Sequence, residues 1–149
     1  MVNYKDILKM AVQNEIEAYG FYKDAACKIK DPALKDTFEE LSGEEQKHKL
    51  LLEGYLANYG QQMKFKPEAD YKVAESVEAQ PLTTDMAFKD AIAIAMKKEQ
   101  EAMEMYRRFA EDSETAEQKH TFMELAKMEQ GHKVRLEEIY VNAAFVEVW

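Results

Sequence analysis

The sequence predicts an all-α protein, four long helices packed as a bundle and arranged as two helical hairpins joined by a long crossover. Three observations carry this. The 149 residues include only five glycines and three prolines, with 46% apolar and 33% charged residues, whereas a sandwich or barrel needs far more turn residues. Four stretches of about 25 residues or more place apolar side chains at alternating steps of four and three, the spacing of a bundle core. The breaks between them come short, long, short, as two tight hairpins and one crossover require. A chain of this length makes about one domain and buries roughly 68–70% of the surface it exposes unfolded, so a core can form without disulfides.

The first hairpin spans residues 3–60. Asn3 and Asp6 mark a helix start, and the stretch to about Lys30 has no proline and one glycine, Gly20. Asp31-Pro32 then offers an N-cap followed by proline at the first helical position. The second helix runs to about Tyr59, where Gly60 is well placed to end it. Residues 60–85 carry Pro67 and Pro81 and no sustained helical period; they form the crossover. The second hairpin spans 85–143. Thr83, Thr84 or Asp85 caps a third helix lasting to about Asp112, and Ser113 or Thr115 starts a fourth that reaches about Ala143. Residues 144–149 alternate as a strand or a docked tail would.

Composition excludes several functions. The net charge of −9 disfavours nucleic acid and anionic membranes, which are bound by basic surfaces. A single cysteine, Cys27, allows no internal disulfide, CxxC pair or cysteine-built zinc site. No apolar run approaches the ~20 residues of a membrane span, and the N-terminus does not read as a signal peptide, so a cytoplasmic location is expected. The nine methionines mostly flank the apolar seams as packing, and some could build the face of a homodimer or larger homo-oligomer.

The chain repeats itself. Shifted by 84 positions, residues 4–59 align without gaps on residues 88–143 with 20 identities in 56 positions. The pairs include Glu15/Glu99, Tyr22/Tyr106, Phe38/Phe122, Glu45/Glu129, His48/His132 and Leu52/Leu136. Two copies of one hairpin are expected to meet about a pseudo-two-fold axis, each supplying half of any shared site.

The seams carry the chemistry. Helix one reads Tyr4, Leu8, Ala11, Glu15, Ala18, Tyr22, Ala25, Ile29, and helix three Phe88, Ile92, Ala95, Glu99, Ala102, Tyr106, Phe109, Ser113. Helix two reads Leu34, Phe38, Leu41, Glu45, His48, Leu52, Tyr55, Tyr59, and helix four Gln118, Phe122, Leu125, Glu129, His132, Leu136, Ile139, Ala143. Each apolar seam is thus interrupted mid-helix by Glu or by Glu-x-x-His. Glu15 and Glu99 lie about 15 residues before their hairpin turns, and the Glu-x-x-His pairs about 15 after. At 1.5 Å per residue all six groups stand roughly 20 Å from the turns, near the bundle midpoint. Four carboxylates and two imidazoles therefore converge on one layer. Glu117-Gln-Lys-His120 matches the same motif but lies off the seam near the start of its helix, and is read as surface.

A buried, unpartnered carboxylate costs several kcal/mol or shifts its pKa until it is neutral. Two divalent metal ions would balance the four carboxylates, with neutral imidazoles completing their shells. Mixed carboxylate and imidazole ligands suit iron or manganese better than calcium or magnesium, and zinc can also occupy such a site.

This layer resembles the ferritin-like di-iron carboxylate proteins, a class whose ligand pattern is a Glu from each of two helices and a Glu-x-x-His from each of the other two. Glu15-Ile-Glu-Ala18-Tyr-Gly-Phe-Tyr22 and Glu99-Gln-Glu-Ala102-Met-Glu-Met-Tyr106 are similar to the rubrerythrin branch in particular. The resemblance implies that Glu15, Glu45, His48, Glu99, Glu129 and His132 bind two irons, with Glu45 and Glu129 bridging. It implies that Tyr22 and Tyr106 hydrogen-bond ligand carboxylates; the alternative is aromatic core filling. It also implies a further carboxylate on helix three, for which Glu101 is the nearest candidate, although it lies off the strict seam and has a twin in Glu17. The four-cysteine rubredoxin module of rubrerythrins proper is missing, so a separate electron donor, a rubredoxin or a reductase, is expected. The function implied is a non-haem di-iron oxidoreductase acting on hydrogen peroxide or dioxygen, with peroxide favoured. Ferroxidase activity or iron binding and storage is the alternative.

Overall fold

In the computed structural model, residues 4–59, 82–142 and 148–149 are described. Helix α1 is Tyr4–Lys28 and α2 is Pro32–Gly54, continued by a π-helical turn over Tyr55–Tyr59; α3 is Phe88–Asp112 and α4 is Ala116–Asn142. α1 packs on α2 and α3 on α4, giving the two expected hairpins of a ferritin-like four-helix bundle. No helix among the described residues is long and apolar enough to cross a membrane.

The local signals account for most boundaries. Asp31 caps α2 by accepting a 2.8 Å bond from Leu34 N, with Pro32 opening the helix. Thr115 caps α4, accepting from Gln118 N at 3.2 Å. Ser113 instead ends α3 and donates its hydroxyl to the Phe109 carbonyl. The start of α3 differs from expectation. Thr83 accepts from Asp85 N in a turn ahead of the helix, and Ala87 is the capping residue, without a side-chain bond. Lys28 donates to the Thr84 backbone carbonyl at 3.1 Å and lies 3.9 Å from the Asp85 carboxylate. Gly60 and most of the crossover and tail lie outside the described residues.

The predicted seams form the buried faces from Leu8 to Ile29, Phe38 to Leu52, Phe88 to Phe109 and Gln118 to Leu136, with Ala18 and Ala102 half-buried among them. Two apolar clusters fill the ends of the bundle, one around Leu8, Leu52, Phe109 and Phe122, the other around Ile29, Phe38, Phe88 and Leu136. Each cluster joins the start of one helix in a hairpin to the end of the other, so α1 and α3 run antiparallel, as a pseudo-two-fold axis across the bundle requires. The end of the chain closes the second cluster. Trp149 donates its indole N–H to the Met86 carbonyl at 3.0 Å and meets the Phe88 ring edge-on at 5.1 Å.

Candidate metal centre

Between the two apolar clusters lies a polar layer. Glu15, Glu45, His48, Glu99, Glu129 and His132 are all buried, each at 3% exposure or less. Their depth follows from their place in the seams: a residue on the inward stripe of an amphipathic helix is carried into the core whatever its polarity. Their atoms form two groups, each within 4.8 Å: Glu15, Glu45, His48 and Glu129, and Glu45, Glu99, Glu129 and His132. The two groups are exchanged by the 84-residue repeat, and Glu45 and Glu129 belong to both.

The imidazoles cross over. His48 Nδ1 lies 2.7 Å from Glu129 Oε1, and His132 Nδ1 lies 2.7 Å from Glu45 Oε1. None of these four atoms is aligned for a hydrogen bond, nor has any of them, or Glu15 Oε2 or Glu99 Oε2, a partner among the described residues. Buried polar atoms are nearly always paired. Donors this close that avoid bonding one another are aimed at common points between them, as ligands of a shared cation are. The two rings lie nearly parallel, 5.9 Å apart and 13° from coplanar.

The outer oxygens are held. Tyr22 on α1 donates to Glu99 Oε1 on α3 at 2.6 Å, and Tyr106 on α3 donates to Glu15 Oε1 on α1 at 2.5 Å. Each tyrosine thus reaches across to the other hairpin's carboxylate and leaves that carboxylate's second oxygen facing the cluster. Burial first, then the neighbouring glutamates, push both phenols well above the usual tyrosine range, so both stay protonated donors.

Without a metal, the layer cannot hold four negative charges at ordinary pH. Burial, reinforced by Glu99 and Glu15, pushes the Glu45 carboxyl well above its usual range, and burial with Glu99 and Glu45 does the same to Glu129. Burial also raises Glu15, but the neighbouring Glu45 carboxyl, the His48 ring 3.6 Å away and the Tyr106 hydroxyl outweigh it and hold that carboxyl low. Burial lowers His132, but Glu99 and Glu44 reverse this and raise it. The donor set fits divalent cations: two ions would supply the charge these groups otherwise obtain from protons.

A cavity of about 40 Å³ opens on the layer between α1 and α3. Glu15, Glu45, Glu99, Glu129 and Tyr22 line its buried end, Ala18 and Ala102 narrow its walls, and Asn14, Glu17, Lys98 and Glu101 stand at its mouth. Lys98 reaches Glu17 across this mouth at 3.4 Å. A water needs roughly 10–15 Å³ of such space, so the cavity admits molecules of two or three heavy atoms.

Not every candidate residue joins the layer. Glu101 lines the cavity mouth but contributes to neither group of converging atoms. Two residues turn a helix about 200°, which carries it away from Glu99. Its partial burial raises its carboxyl, against the pull of Lys98 and Lys97. His120 is exposed on α4. Two residues outside the seams join the site: Glu44 accepts from His132 Nε2, and Arg135 backs it. Their signal in the sequence is a mismatch in the repeat, Glu44 standing opposite Met128 and Arg135 opposite Leu51.

A model of the rubrerythrin family matches residues 6–140, and the chain belongs to that family. Among solved structures it is similar to a hypothetical protein from Pyrococcus furiosus, with 33% identity over 92% of this chain and 87% of that one and a TM-score of 0.70. It also shares its fold with a candidate ferritin-like di-iron-carboxylate protein from Thermotoga maritima, at 19% identity, 95% and 96% coverage and a TM-score of 0.73. No curated protein matches the chain at a significant level.

Proposed function

We propose that Glu15, Glu45, His48, Glu99, Glu129 and His132 hold two iron ions, and that the protein is an oxidoreductase reducing hydrogen peroxide with electrons from a separate donor. The observation that carries this is the convergence of unpaired oxygens and Nδ1 atoms from two repeat-related groups that share Glu45 and Glu129. Manganese or zinc suits the same donors; membership of the rubrerythrin family favours iron. A reduced pair of irons would supply the two electrons that, with two protons, convert peroxide to two waters.

The chain's own residues do the rest. Tyr22 and Tyr106 fix the carboxylates of Glu99 and Glu15 by their outer oxygens. The two apolar clusters keep bulk water from the flanks of the layer. The narrow cavity between α1 and α3 favours a two-heavy-atom oxidant over any organic substrate. Glu101 stands at its mouth, where its carboxyl meets whatever enters and leaves. Electrons come from outside these 149 residues, since their one cysteine, Cys27, cannot build a four-sulfur iron centre.

The test is metal analysis of anaerobically purified protein followed by rapid mixing of its reduced form with peroxide and with dioxygen. About two irons per chain and faster oxidation by peroxide are expected. A reduced centre inert to both oxidants refutes the proposal. Hundreds of irons per assembly would replace it with storage, and preference for dioxygen with ferroxidase or oxidase chemistry.

A further inference from the structure

The repeat makes the two halves of the layer alike except at the outer nitrogens of the histidines. His132 Nε2 donates to Glu44 Oε2. Glu44 is itself held: Arg135 Nη1 lies 3.8 Å from it, while Arg135 Nη2 donates to Glu40 at 3.1 Å. His48 is the twin of His132, yet its Nε2 is buried with no hydrogen-bond partner among the described residues. Where the repeat would place the matching acid stands Met128, and where it would place the matching arginine stands Leu51.

We propose that Glu44 makes the two metal positions unequal, so that the position formed by His132 and Glu99 fills before the one formed by His48 and Glu15. This rests on the metal-centre reading above. A carboxylate on Nε2 keeps the ring proton there, which leaves Nδ1 as a lone-pair donor already facing the layer. It also fixes the ring and makes Nδ1 more basic. Outer partners of this kind are worth about 10–100-fold in metal affinity. The His48 ring has no such partner among the described residues, so no hydrogen bond there selects its tautomer before a metal arrives. Glu45 and Glu129 are common to both positions, and the tyrosine bonds to Glu99 and Glu15 are matched; neither creates the difference. Glu44 is a positioning residue.

The test is a titration of the metal-free protein with Zn²⁺, followed through the ring-nitrogen NMR signals of isotope-labelled histidine. A diamagnetic ion shifts Nδ1 only in the ring that binds it. The first equivalent should move His132 and leave His48 about tenfold less affected or lower, and the second should move His48. In E44M, which copies the twin residue, the two rings should respond together; M128E, which supplies the missing acid, should likewise narrow the interval. His48 responding first or together with His132 in the unaltered protein overturns the proposal, as does a filling order unchanged in both variants. Binding of fewer than two Zn²⁺ per chain overturns the metal-centre reading as well, and so is distinguishable from two ions bound without order.

Discussion

Removing a single phenolic oxygen separates a tyrosine that holds a carboxylate from one that fills space. Tyr22 is 1% exposed and Tyr106 fully buried, and their O–H groups meet Glu99 and Glu15 at 2.6 and 2.5 Å. Tyr22→Phe keeps the ring and its edge contact with Phe38, 5.9 Å between centroids. It removes only the bond. A hydrogen bond to a charged group is worth about 1.5–3 kcal/mol. In a chain of this size each kcal/mol moves Tm by about 2–4 °C, so the metal-loaded Tyr22→Phe variant should melt about 3–12 °C lower. Tyr106→Phe should do the same. Because both carboxylates belong to one cluster that shares Glu45 and Glu129, the double variant should depart from the sum of the single losses. The assay is calorimetry at one fixed metal concentration, with far-ultraviolet circular dichroism to show that the helices remain. Melting temperatures unchanged in both single variants would show that the rings merely pack, and the positioning role would be withdrawn.

Other perturbations follow from the same geometry. His132→Ala or Glu45→Ala should sharply reduce bound metal, measured by elemental analysis, whereas His120→Ala, on the exposed face, should leave it unchanged; loss of metal from His120→Ala alone contradicts the seam assignment. The metal-free protein should gain stability towards denaturant as pH falls from about 8 to about 5. Glu45 and Glu129 have raised carboxyls and His132 a raised imidazole, so each contributes stability present at low pH and lost as pH rises through its folded-state pKa. Glu15, held low, opposes this only as pH falls below the ordinary carboxylate range, and a metal-free form less stable at the acidic end of that window would refute burial of the layer. Metal should raise stability by about 2.7 kcal/mol at a free concentration 100 times Kd, read as a concentration-dependent Tm. Trp149→Ala removes the bond to Met86 and the contact with Phe88. It should cost on the order of 2 kcal/mol in chemical denaturation, with metal content intact.

Much of the centre is written in one dimension because helices convert spacing into direction. Steps of four and three put Glu15, Glu45, His48, Glu99, Glu129 and His132 on inward stripes, and equal distances from the hairpin turns put them at one height. Neither inference needs a contact between helices. The repeat adds the pairing of the halves, and Asp31-Pro32 fixes the start of α2 through a cap that is local by nature. The start of α3 could not be read this way. Thr83, Thr84 and Asp85 are all competent caps, but Thr83 is used in a turn with Asp85 N ahead of the helix, and Lys28, 56 residues away in the chain, holds the Thr84 carbonyl. The docking of Trp149 on Phe88 and Met86 is equally non-local.

The finer chemistry depends on how the hairpins meet. That Tyr22 serves Glu99 and Tyr106 serves Glu15, each across the pseudo-two-fold axis, is decided by the rotation and separation of α1 and α3, which periodicity leaves free. The same packing leaves a narrow cavity between Ala18 and Ala102 and keeps Glu101 at its mouth. It also brings Glu44 under His132, while the twin ring of His48 meets no such acid among the described residues. Sequence by itself determined which side chains are buried together, because burial along a helix is set by local period. Tertiary structure alone decided which of their atoms are paired and which are left facing one another, because hydrogen bonds depend on distances of a few tenths of an ångström between elements far apart in the chain.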